Sequence, residues 1–213
     1  DCVLSGNTAS NGGGASDSAL TDCVLSGNTA SGSFNAGGGA SHCTLNNCVL
    51  SGNTVSGSNS FGGGGASDSI LQNCTLTGNT ASKAGGGAYE CTLYNCTLTG
   101  NTAATSGSGI SGGTLNNCIV WENRKSNGVI DNYSGGTFSY SCTTPLPSGL
   151  GNISLDPLFC DTADYRLQLG SPCLNTGSNG YVSVLTDING APRIQDGTVD
   201  MGAYEGVGQC AAP

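Results

Sequence analysis

The chain has few charged and few aromatic residues. Of its 213 residues only 9% are charged and 6% are aromatic, and Lys and Arg together number 5 against 14 acidic residues. The net charge of −9 leaves no basic patch for nucleic acid or for anionic membranes, both of which attract positively charged surfaces. No apolar run is long enough to cross a bilayer. We therefore expect no nucleic-acid partner and no membrane insertion.

Histidine is almost absent, with 1 residue against 12 cysteines. This ratio excludes a set of zinc fingers, which need closely spaced Cys and His ligands. An oxidising setting suits so many cysteines better, and the acidic, Lys-poor composition is typical of the outside of a bacterial cell. We therefore expect an extracellular or cell-surface location. The chain opens at Asp1 inside a repeat unit with no visible signal peptide, which favours a processed or excised piece of a longer protein.

Glycine, in contrast, is abundant, and 37 glycines are compatible with low-complexity disorder. Disordered chains usually combine high net charge with no regular apolar pattern, whereas apolar residues recur here at fixed intervals. The motif Cys-x-Leu-x-Gly-Asn-Thr begins at Cys2, Cys23, Cys48, Cys74 and Cys96, with a decayed copy at Cys118, at spacings of 21, 25, 26, 22 and 22 residues. A glycine-rich block recurs in phase at 12–16, 37–41, 63–67 and 85–89. Glycine therefore marks the turns of a repeat.

Within a unit, Cys23 and Leu25 alternate with Val24 and Ser26, which is the period of a β-strand with one buried face. Strands this short leave their edges unpaired unless one coil stacks on the next at about 4.8 Å. Glycine triplets disfavour a helical repeat. A left-handed β-helix would show a hexapeptide period, and leucine-rich repeats need denser leucine spacing. We therefore predict an all-β, right-handed parallel β-helix of about six to nine coils. The repeats occupy 1–125, and modified terminal coils with a divergent cap occupy 126–213.

Stacking of the coils aligns asparagines in two columns, which we expect to be hydrogen-bonded ladders at turns. The first column holds Asn28, Asn53, Asn79 and Asn101, and the second holds Asp22, Asn47, Asn73, Asn95 and Asn117. Variable insertions follow the motif threonine in successive units, at 31–35, 56–61, 82–84 and 105–109. We expect these insertions to project from one edge of the rod, where repeat proteins often bind partners.

The motif cysteines form a third column, made of Cys2, Cys23, Cys48, Cys74, Cys96 and Cys118. Parallel stacking keeps their Cβ atoms farther apart than the ~3.8 Å that a disulfide prefers. We therefore expect mostly reduced, buried thiols that act as small apolar fillers. Corner bridges Cys43–Cys48 and Cys91–Cys96 remain open as alternatives. In the C-terminal region, Cys160 and Cys173 are the best candidates for a bridge.

After about Asn123 the repeat loosens. Segments 135–137 and 139–142 are predicted to form one more, modified coil. They are followed by Asp-Pro-Leu-Phe at 156–159, Asp-Tyr-Arg-Leu-Gln at 164–168, Gly-Ser-Pro-Cys at 170–173, Thr-Asp-Ile-Asn-Gly-Ala-Pro-Arg at 186–193 and Val-Asp-Met-Gly-Ala-Tyr-Glu at 199–205. With these motifs, the region from about Tyr140 to Glu205 resembles the choice-of-anchor Q domain that ends many large secreted bacterial β-helix proteins.

The N-terminal units are similar to the repeats of polymorphic outer-membrane proteins, with Gly-Gly-Ala before an aromatic residue or leucine and then x-x-Asn. They depart from those repeats by carrying leucine where phenylalanine is usual. Together the two resemblances cover nearly the whole chain and imply surface display, adhesion or assembly. The anchor-type domain normally precedes a sorting signal, and none follows here before Pro213, so the mode of attachment is left open.

An enzyme is the first alternative, because many β-helices are polysaccharide lyases or hydrolases. One column, six residues before successive core cysteines, holds Asp17, His42, Asp68 and Glu90. Stacking would bring Asp68 and Glu90 to about 5 Å, the carboxylate separation of retaining glycosidases. The same column could chelate a divalent cation such as Ca²⁺. The simpler interpretation, which we favour, is a solvated turn, so we predict neither a catalytic residue nor a cofactor.

Two further patterns each have a functional and a structural interpretation. The outward pairs Thr75/Thr77 and Thr97/Thr99 suggest a flat array that binds ice, but the other coils carry Val and Ser. Half of the carboxylates lie in the last third and could bind Ca²⁺, although carboxylates in such turns more often cap backbone amides; they are Asp156, Asp161, Asp164, Asp187, Asp196, Asp200 and Glu205. Arg166 and Arg193 are predicted to be their ion-pair partners.

The leading hypothesis is an extracellular structural protein, either an adhesin segment or a subunit of a head-to-tail filament. The first coil lacks a cap, so its open strand edge at 1–5 can pair with preceding repeats or with another copy. The expected partners are therefore the protein itself, neighbouring repeats of a longer chain, or surface glycans. The alternatives are a glycan-binding or polysaccharide-degrading β-helix and an ice-binding protein.

Overall fold

The computed structural model describes residues 1–32, 34–57, 61–161, 163–208 and 210. The predicted right-handed parallel β-helix is confirmed, with about six turns. Each turn contributes one short strand to each of four parallel sheets, named A to D in the order in which the chain meets them. A 3₁₀ helix covers Asn179–Tyr181, and no helix of the described residues is long and apolar enough to cross a membrane.

Sheet A contains seven strands and sheets B, C and D contain six each. Sheet A consists of Val3–Ser5, Val24–Ser26, Val49–Ser51, Thr75–Thr77, Thr97–Thr99, Ile119–Trp121 and Cys142–Thr143. Sheet B consists of Thr8–Ala9, Thr29–Ala30, Thr54–Val55, Thr80–Ala81, Thr102–Ala103 and Arg124–Lys125. Sheet C consists of Ala15–Ser16, Ala40–Ser41, Ala66–Ser67, Ala88–Tyr89, Ile110–Ser111 and Tyr133–Ser134. Sheet D consists of Ala19–Thr21, Thr44–Asn46, Ile70–Gln72, Thr92–Tyr94, Thr114–Asn116 and Thr137–Ser139.

The insertions lie between sheets B and C, as their position in the repeat predicts. Two of them include strands, Phe34–Gly37 and Phe61–Gly63, which pair with each other. Residues 33 and 58–60 of these insertions lie outside the described residues.

Leucines from sheets A and D fill the centre of the solenoid. Leu25 pairs in register with Leu50, and Leu45 pairs with Leu71, and all four side chains are completely buried. Burial of a leucine contributes roughly 1.5–3 kcal/mol. Because side chains alternate between the two faces of a strand, a slip of one residue would move these leucines to the surface. The repeated leucine therefore fixes the register of the stacked coils.

The turns between the sheets have a left-handed backbone at equivalent positions in each coil. The corner between A and B uses Gly6, Gly27, Gly52, Gly78, Gly100 and Glu122; the corner between C and D uses Asp17, His42, Asp68, Glu90, Gly112 and Gly135; and the corner between D and A uses Asp22, Asn47, Asn73, Asn95, Asn117 and Tyr140. All of these residues have φ between 46° and 73°. Gly, Asn and Asp adopt this conformation more readily than other residues, which explains their recurrence at the three corners.

The glycine block is required by a close approach of backbones where the chain enters sheet C. A Cβ atom on Gly38 would lie 2.2 Å from the carbonyl oxygen of Gly64, and one on Gly64 would lie 2.3 Å from that of Gly86. No side chain fits at such distances, so glycine is needed at this position in successive coils.

The last coil is covered by residues 144–153. The backbone N–H of Tyr140 donates to the carbonyl of Leu150 at 2.7 Å, and that of Thr143 donates to the carbonyl of Ile153 at 3.1 Å. The side chain of Asn152 donates to the carbonyl of Phe138 at 3.0 Å. The loop therefore satisfies strand edges at this end of the solenoid.

The following chain does not continue along the axis. Residues 170–206, here called the flank segment, fold back along the side of the solenoid over sheet A and the corner between D and A. The N–H of Ala203 donates to the Thr97 hydroxyl at 3.0 Å, and Ser183 contacts Gln72, 111 residues earlier in the chain, at 2.5 Å. Much of the predicted terminal cap thus covers a side of the solenoid rather than its end.

Candidate functional site

The column considered for catalysis or metal binding lies at the corner between sheets C and D. Asp17, His42 and Glu90 are exposed, and Asp68 is half-buried. The hydroxyls of the preceding serines hydrogen-bond to the side chains of Asp17, His42 and Asp68 at 2.8, 2.9 and 3.0 Å. Among the described residues, no group of three His, Cys, Asp or Glu side chains is arranged to hold a metal ion. The left-handed backbone accounts for the polar residues at this corner.

This interpretation predicts the effect of substitutions at Glu90. A left-handed backbone costs an L-residue about 1–2 kcal/mol, part of which glycine recovers. Glu90→Gly is therefore expected to raise the free energy of unfolding by about 0.5–1 kcal/mol, and Glu90→Ala to leave it nearly unchanged. Gly112 occupies the equivalent position in the next coil. Urea unfolding followed by circular dichroism measures both variants. A loss of stability in both would show that the carboxylate itself holds the structure.

The first asparagine column is a continuous hydrogen-bonded ladder inside the corner between sheets A and B. It includes the four predicted residues and extends to both sides: Asn7, Asn28, Asn53, Asn79, Asn101, Asn123 and Asn132. In each step the backbone N–H and the side-chain Nδ2 of one asparagine donate to the Oδ1 of the next at 2.9–3.2 Å. Six of the seven asparagines are buried, all except Asn7, so the ladder is structural and its amides are not accessible to ligands.

The second asparagine column has a different role. The amide of Asn73 donates to Asn47 at 3.2 Å, and that of Asn117 donates to Asn95 at 3.0 Å. Three of these residues also bind the backbone of the flank segment: Asn73 donates to the Thr186 carbonyl at 2.7 Å, Asn95 to that of Tyr181 at 3.4 Å, and Asn117 to that of Ser178 at 2.9 Å. The column therefore docks the flank segment.

The cysteine column consists of free thiols, buried in every coil except the first, where Cys2 is exposed. The Sγ of Cys48 and that of Cys74 each donate to the carbonyl two residues earlier, at 3.2 Å. Burial raises the pKa of the Cys74, Cys96 and Cys118 thiols well above the ordinary value, which suppresses the reactive thiolate. These cysteines act as apolar fillers.

The candidate disulfides are wrong in their pairing. Cys160 is bonded to Cys210, and Cys173 is a free thiol. The four cysteines of the proposed corner bridges, Cys43, Cys48, Cys91 and Cys96, are also free. A strand of sheet D separates the two members of each corner pair, and extended residues advance about 3.3 Å each, which exceeds the reach of a disulfide. Cys210, the partner of Cys160, follows the last sequence motif. It does not occupy an equivalent position in a repeat, so the repeat pattern could not predict this pairing.

The chain after residue 153 also covers the threonine array considered for ice binding, with Ala203 bonded to Thr97 and residues 156–168 facing Thr99. Thr75, Thr97 and Thr99 are 3%, 1% and 7% exposed. A flat, solvated row of hydroxyls does not exist at these positions.

A groove of about 650 Å³ lies between the outer face of sheet A and residues 156–168. Thr99, Gly100, Trp121 and Glu122 form the solenoid side, and Asp156, Leu158, Phe159, Asp161, Tyr165 and Gln168 form the other side. In sheet A, Trp121 pairs with Thr99, and the residues just before them, Val120 and Leu98, are buried in the solenoid. Because side chains alternate between the two faces of a strand, Trp121 points outward. The repeat supplies the first wall, and the motifs after the repeat supply the second.

The aromatic rings of the groove are fixed and half-buried. Phe159 and Tyr165 form an edge-to-face pair with centroids 5.6 Å apart. The Gln168 side chain donates to the Phe159 carbonyl at 2.7 Å, which holds the loop that carries the ring. Burial and the nearby Asp161 carboxylate raise the pKa of Tyr165, so its hydroxyl stays protonated and can donate a hydrogen bond.

Three carboxylates border the same groove. Asp156 accepts from the Leu158 N–H at 2.9 Å, and Asp161 accepts from the N–H of Asp164 at 2.8 Å, so both carboxylates are held by turns. Glu122 is paired with Arg124. The residues that line the groove include no Lys, Arg or His. The groove is therefore aromatic and negatively charged.

None of the residues predicted from the sequence to form a site lies in this groove except Asp156 and Asp161, which were considered for Ca²⁺, and Thr99, which was considered for ice binding. The single tryptophan of the chain lies in the decayed copy of the motif, and Phe159 and Tyr165 lie in the motifs that resemble an anchor domain. Loss of the repeat pattern at Trp121 is the one signal that could have pointed to it. Comparison with protein families and with curated proteins finds no match to this chain.

Proposed function

We propose that this chain is a cell-surface scaffold of the adhesin type that binds a saccharide in the groove between sheet A and residues 156–168. The observation that carries the proposal is the set of three aromatic side chains, Trp121, Phe159 and Tyr165, interleaved with carboxylate and amide groups. Ligand sites typically combine an apolar or aromatic wall with a few polar groups that fix orientation. A sugar ring has matching faces, since its C–H groups pack on an aromatic ring and its hydroxyls bind carboxylates and amides.

The solenoid explains how such a site is presented. Stacked coils make a stiff support for the Trp121 wall of the groove, and the flank segment and the Cys160–Cys210 disulfide hold the opposite wall. The disulfide supports an oxidising extracellular location. A scaffold with a site on its flank suits adhesion better than it suits polymerisation through the last coil, because residues 144–153 already cover strand edges there. The strands of the first coil are the end at which neighbouring repeats or a second copy would pair.

The charge of the groove selects among saccharides. Asp156 and Asp161 repel uronates and sialic acids, whereas neutral and amino sugars meet no such repulsion. The proposal therefore names neutral or amino-sugar polymers as the ligand class.

Trp121 makes the test direct, because its emission reports on the groove alone in a chain with 1 tryptophan. We expect a saturable change of tryptophan fluorescence when oligosaccharides of glucose or of glucosamine are added, and none with oligogalacturonate. Tyr165→Ala keeps the reporter and should weaken binding about tenfold or more, the effect of removing a central aromatic anchor.

Phe34→Ala is the matched control, since it removes a ring that is 70% exposed and that lies outside the groove. The Phe34→Ala variant should bind the saccharide with the affinity of the wild type, measured by fluorescence and by calorimetry. If no neutral, amino or acidic saccharide changes the fluorescence or releases heat, the proposed function is wrong. If Phe34→Ala and Tyr165→Ala weaken binding equally, saccharide binds elsewhere.

A further inference from the structure

One cysteine of the last coil departs from the pattern of the others. In the stacked coils the core cysteine sits before the sheet A strand and points inward, and in the last coil Ser141 takes that position, where its hydroxyl accepts from the Cys118 N–H at 3.0 Å. Cys142 is one residue later, and it pairs with Ile119, which pairs with Thr97. It therefore lies on the outer face of sheet A, the face that the flank segment covers.

The flank segment brings a second cysteine to the same place. Cys173 and Cys142 are both completely buried and belong to one apolar cluster with Ile119, Leu167 and Met201. The Cys142 thiol and burial raise the pKa of Cys173, as expected for two thiols that share this cluster. The backbone of Cys173 is held by two hydrogen bonds: its N–H donates to the Ser171 hydroxyl at 3.1 Å, and its carbonyl accepts from the Met201 N–H at 3.0 Å.

These two cysteines escape the constraint that keeps the column thiols apart. Column cysteines sit on coils stacked in parallel register, so their Cβ atoms keep the spacing of the coils, which exceeds the ~3.8 Å that a disulfide prefers. Cys142 and Cys173 belong to a strand and to a segment folded across it, and no ladder fixes their separation. The separation of their sulfurs can therefore change without breaking the pairing of stacked strands.

We propose that Cys142 and Cys173 form a disulfide that fastens the flank segment to the last coil. The reaction is exchange with a low-molecular-weight disulfide of the extracellular medium. One cysteine thiolate attacks a sulfur of the small disulfide and releases one small thiol; the second cysteine thiolate attacks the resulting mixed disulfide and releases the other. Two cysteine thiols are oxidised to one disulfide, the small disulfide is reduced to two thiols, and the two protons pass to those products.

Burial sets when the bond forms. Both sulfurs are inaccessible in the folded protein, so the exchange takes place during folding, before the flank segment closes over sheet A. The bond joins residues 31 positions apart and makes the covering of Thr97 and Ile119 permanent under oxidising conditions. This inference does not depend on saccharide binding.

Digestion with a protease that cleaves before aspartate tests the pairing. The protein is refolded with increasing oxidised glutathione, free thiols are alkylated in denaturant, and the digest is analysed by mass spectrometry without reduction. Cleavage places Cys142 in 131–155, Cys173 in 164–186, Cys160 in 156–160 and Cys210 in 200–213. The 156–160 peptide joined to 200–213 marks the oxidant concentration that suffices for the Cys160–Cys210 bond.

At that concentration we expect peptide 131–155 joined to 164–186, and eight of the twelve cysteines alkylated. In Cys173→Ser the joined peptide disappears, and alkylated Cys142 appears in its place. Cys96→Ser, a buried column cysteine, is the matched control and keeps the joined peptide. Ten alkylated cysteines in the wild type, or Cys142 joined to any cysteine other than Cys173, would overturn the proposal.

Discussion

Replacing Asn79 by alanine is expected to lower the free energy of unfolding by about 3–5 kcal/mol, because each buried polar group left without a partner costs about 1–3 kcal/mol. The Asn79 side chain accepts from the N–H and the amide of Asn53 at 2.9 and 3.0 Å, and it donates to the Leu50 carbonyl and to Asn101 Oδ1 at 2.9 Å. The site is completely buried, so water cannot replace these bonds without opening the corner.

Two variants in or next to the ladder serve as controls for Asn79→Ala. Asn7→Ala removes an exposed asparagine of the first coil, whose side chain bonds to Asn28, and should cost well under half as much. Thr80→Ala changes the neighbouring exposed residue and should be nearly neutral. Urea unfolding measures all three, and hydrogen exchange of coils next to the substitution shows whether the loss spreads, as neighbour-coupled repeats predict. Equal losses at Asn7 and Asn79 would mean that burial in the ladder is not the source of the stability.

The features that recur with the repeat could be predicted from the sequence. Stacking places equivalent residues above one another, so Leu25, Cys23 and Asn28 each reveal a whole column once the period is known. The same logic led to the ladder and to the inert thiols. It left two interpretations open at Asp68 and Glu90, where the backbone conformation and not the chemistry selects the residue.

The features outside the repeat could not be predicted. The flank segment, the groove and the Cys160–Cys210 bond depend on contacts between residues far apart in sequence, and these contacts have no period. Asn117 illustrates the difference: its place in a column is evident from the repeat, but its bond to Ser178, 61 residues away, is not. The groove was therefore not predicted, because one of its walls is formed by residues 156–168, which lie after the repeats and fold back against them.

The second large effect is expected at Arg193, in the core of the flank segment. Its guanidinium is completely buried, donates from Nη2 to the carbonyls of Asp200 and Gly202 at 3.1 and 2.5 Å, and lies 3.7 Å from Glu205 Oε2. Arg193→Met should lower the free energy of unfolding by about 3–5 kcal/mol, the cost of leaving a buried charge without its partner. Protection of residues 175–205 in hydrogen exchange should fall with it.

The carboxylates around Arg193 determine how this loss depends on pH. Each accepts backbone N–H groups: Asp187 from Ala191 at 2.8 Å, Asp200 from Gly206 at 2.7 Å, and Glu205 from Gln195 at 3.1 Å. Burial raises the pKa of Asp200, and it raises that of Glu205 to about 7 from an ordinary value of 4.5. The arginine is the charge that makes their ionised forms tolerable in this core.

The sign of the pH effect follows from Glu205. A carboxyl group whose pKa is higher in the folded state holds its proton better there, so the free energy of unfolding falls as pH rises from about 4.5 to 7 and levels off above. Without Arg193 the pKa of Glu205 rises further, and the fall continues above pH 7. The deficit of Arg193→Met should therefore be larger at pH 8 than at pH 5.

Arg166→Met provides the matched comparison, because Arg166 is paired with Asp164 at the surface, where salt bridges contribute little. It should unfold at nearly the wild-type urea concentration at both pH values. If Arg193→Met loses the same stability at pH 5 as at pH 8, the loss comes from packing alone. If it loses none, the flank segment is held by the Asn73, Asn95 and Asn117 contacts without help from its buried charges.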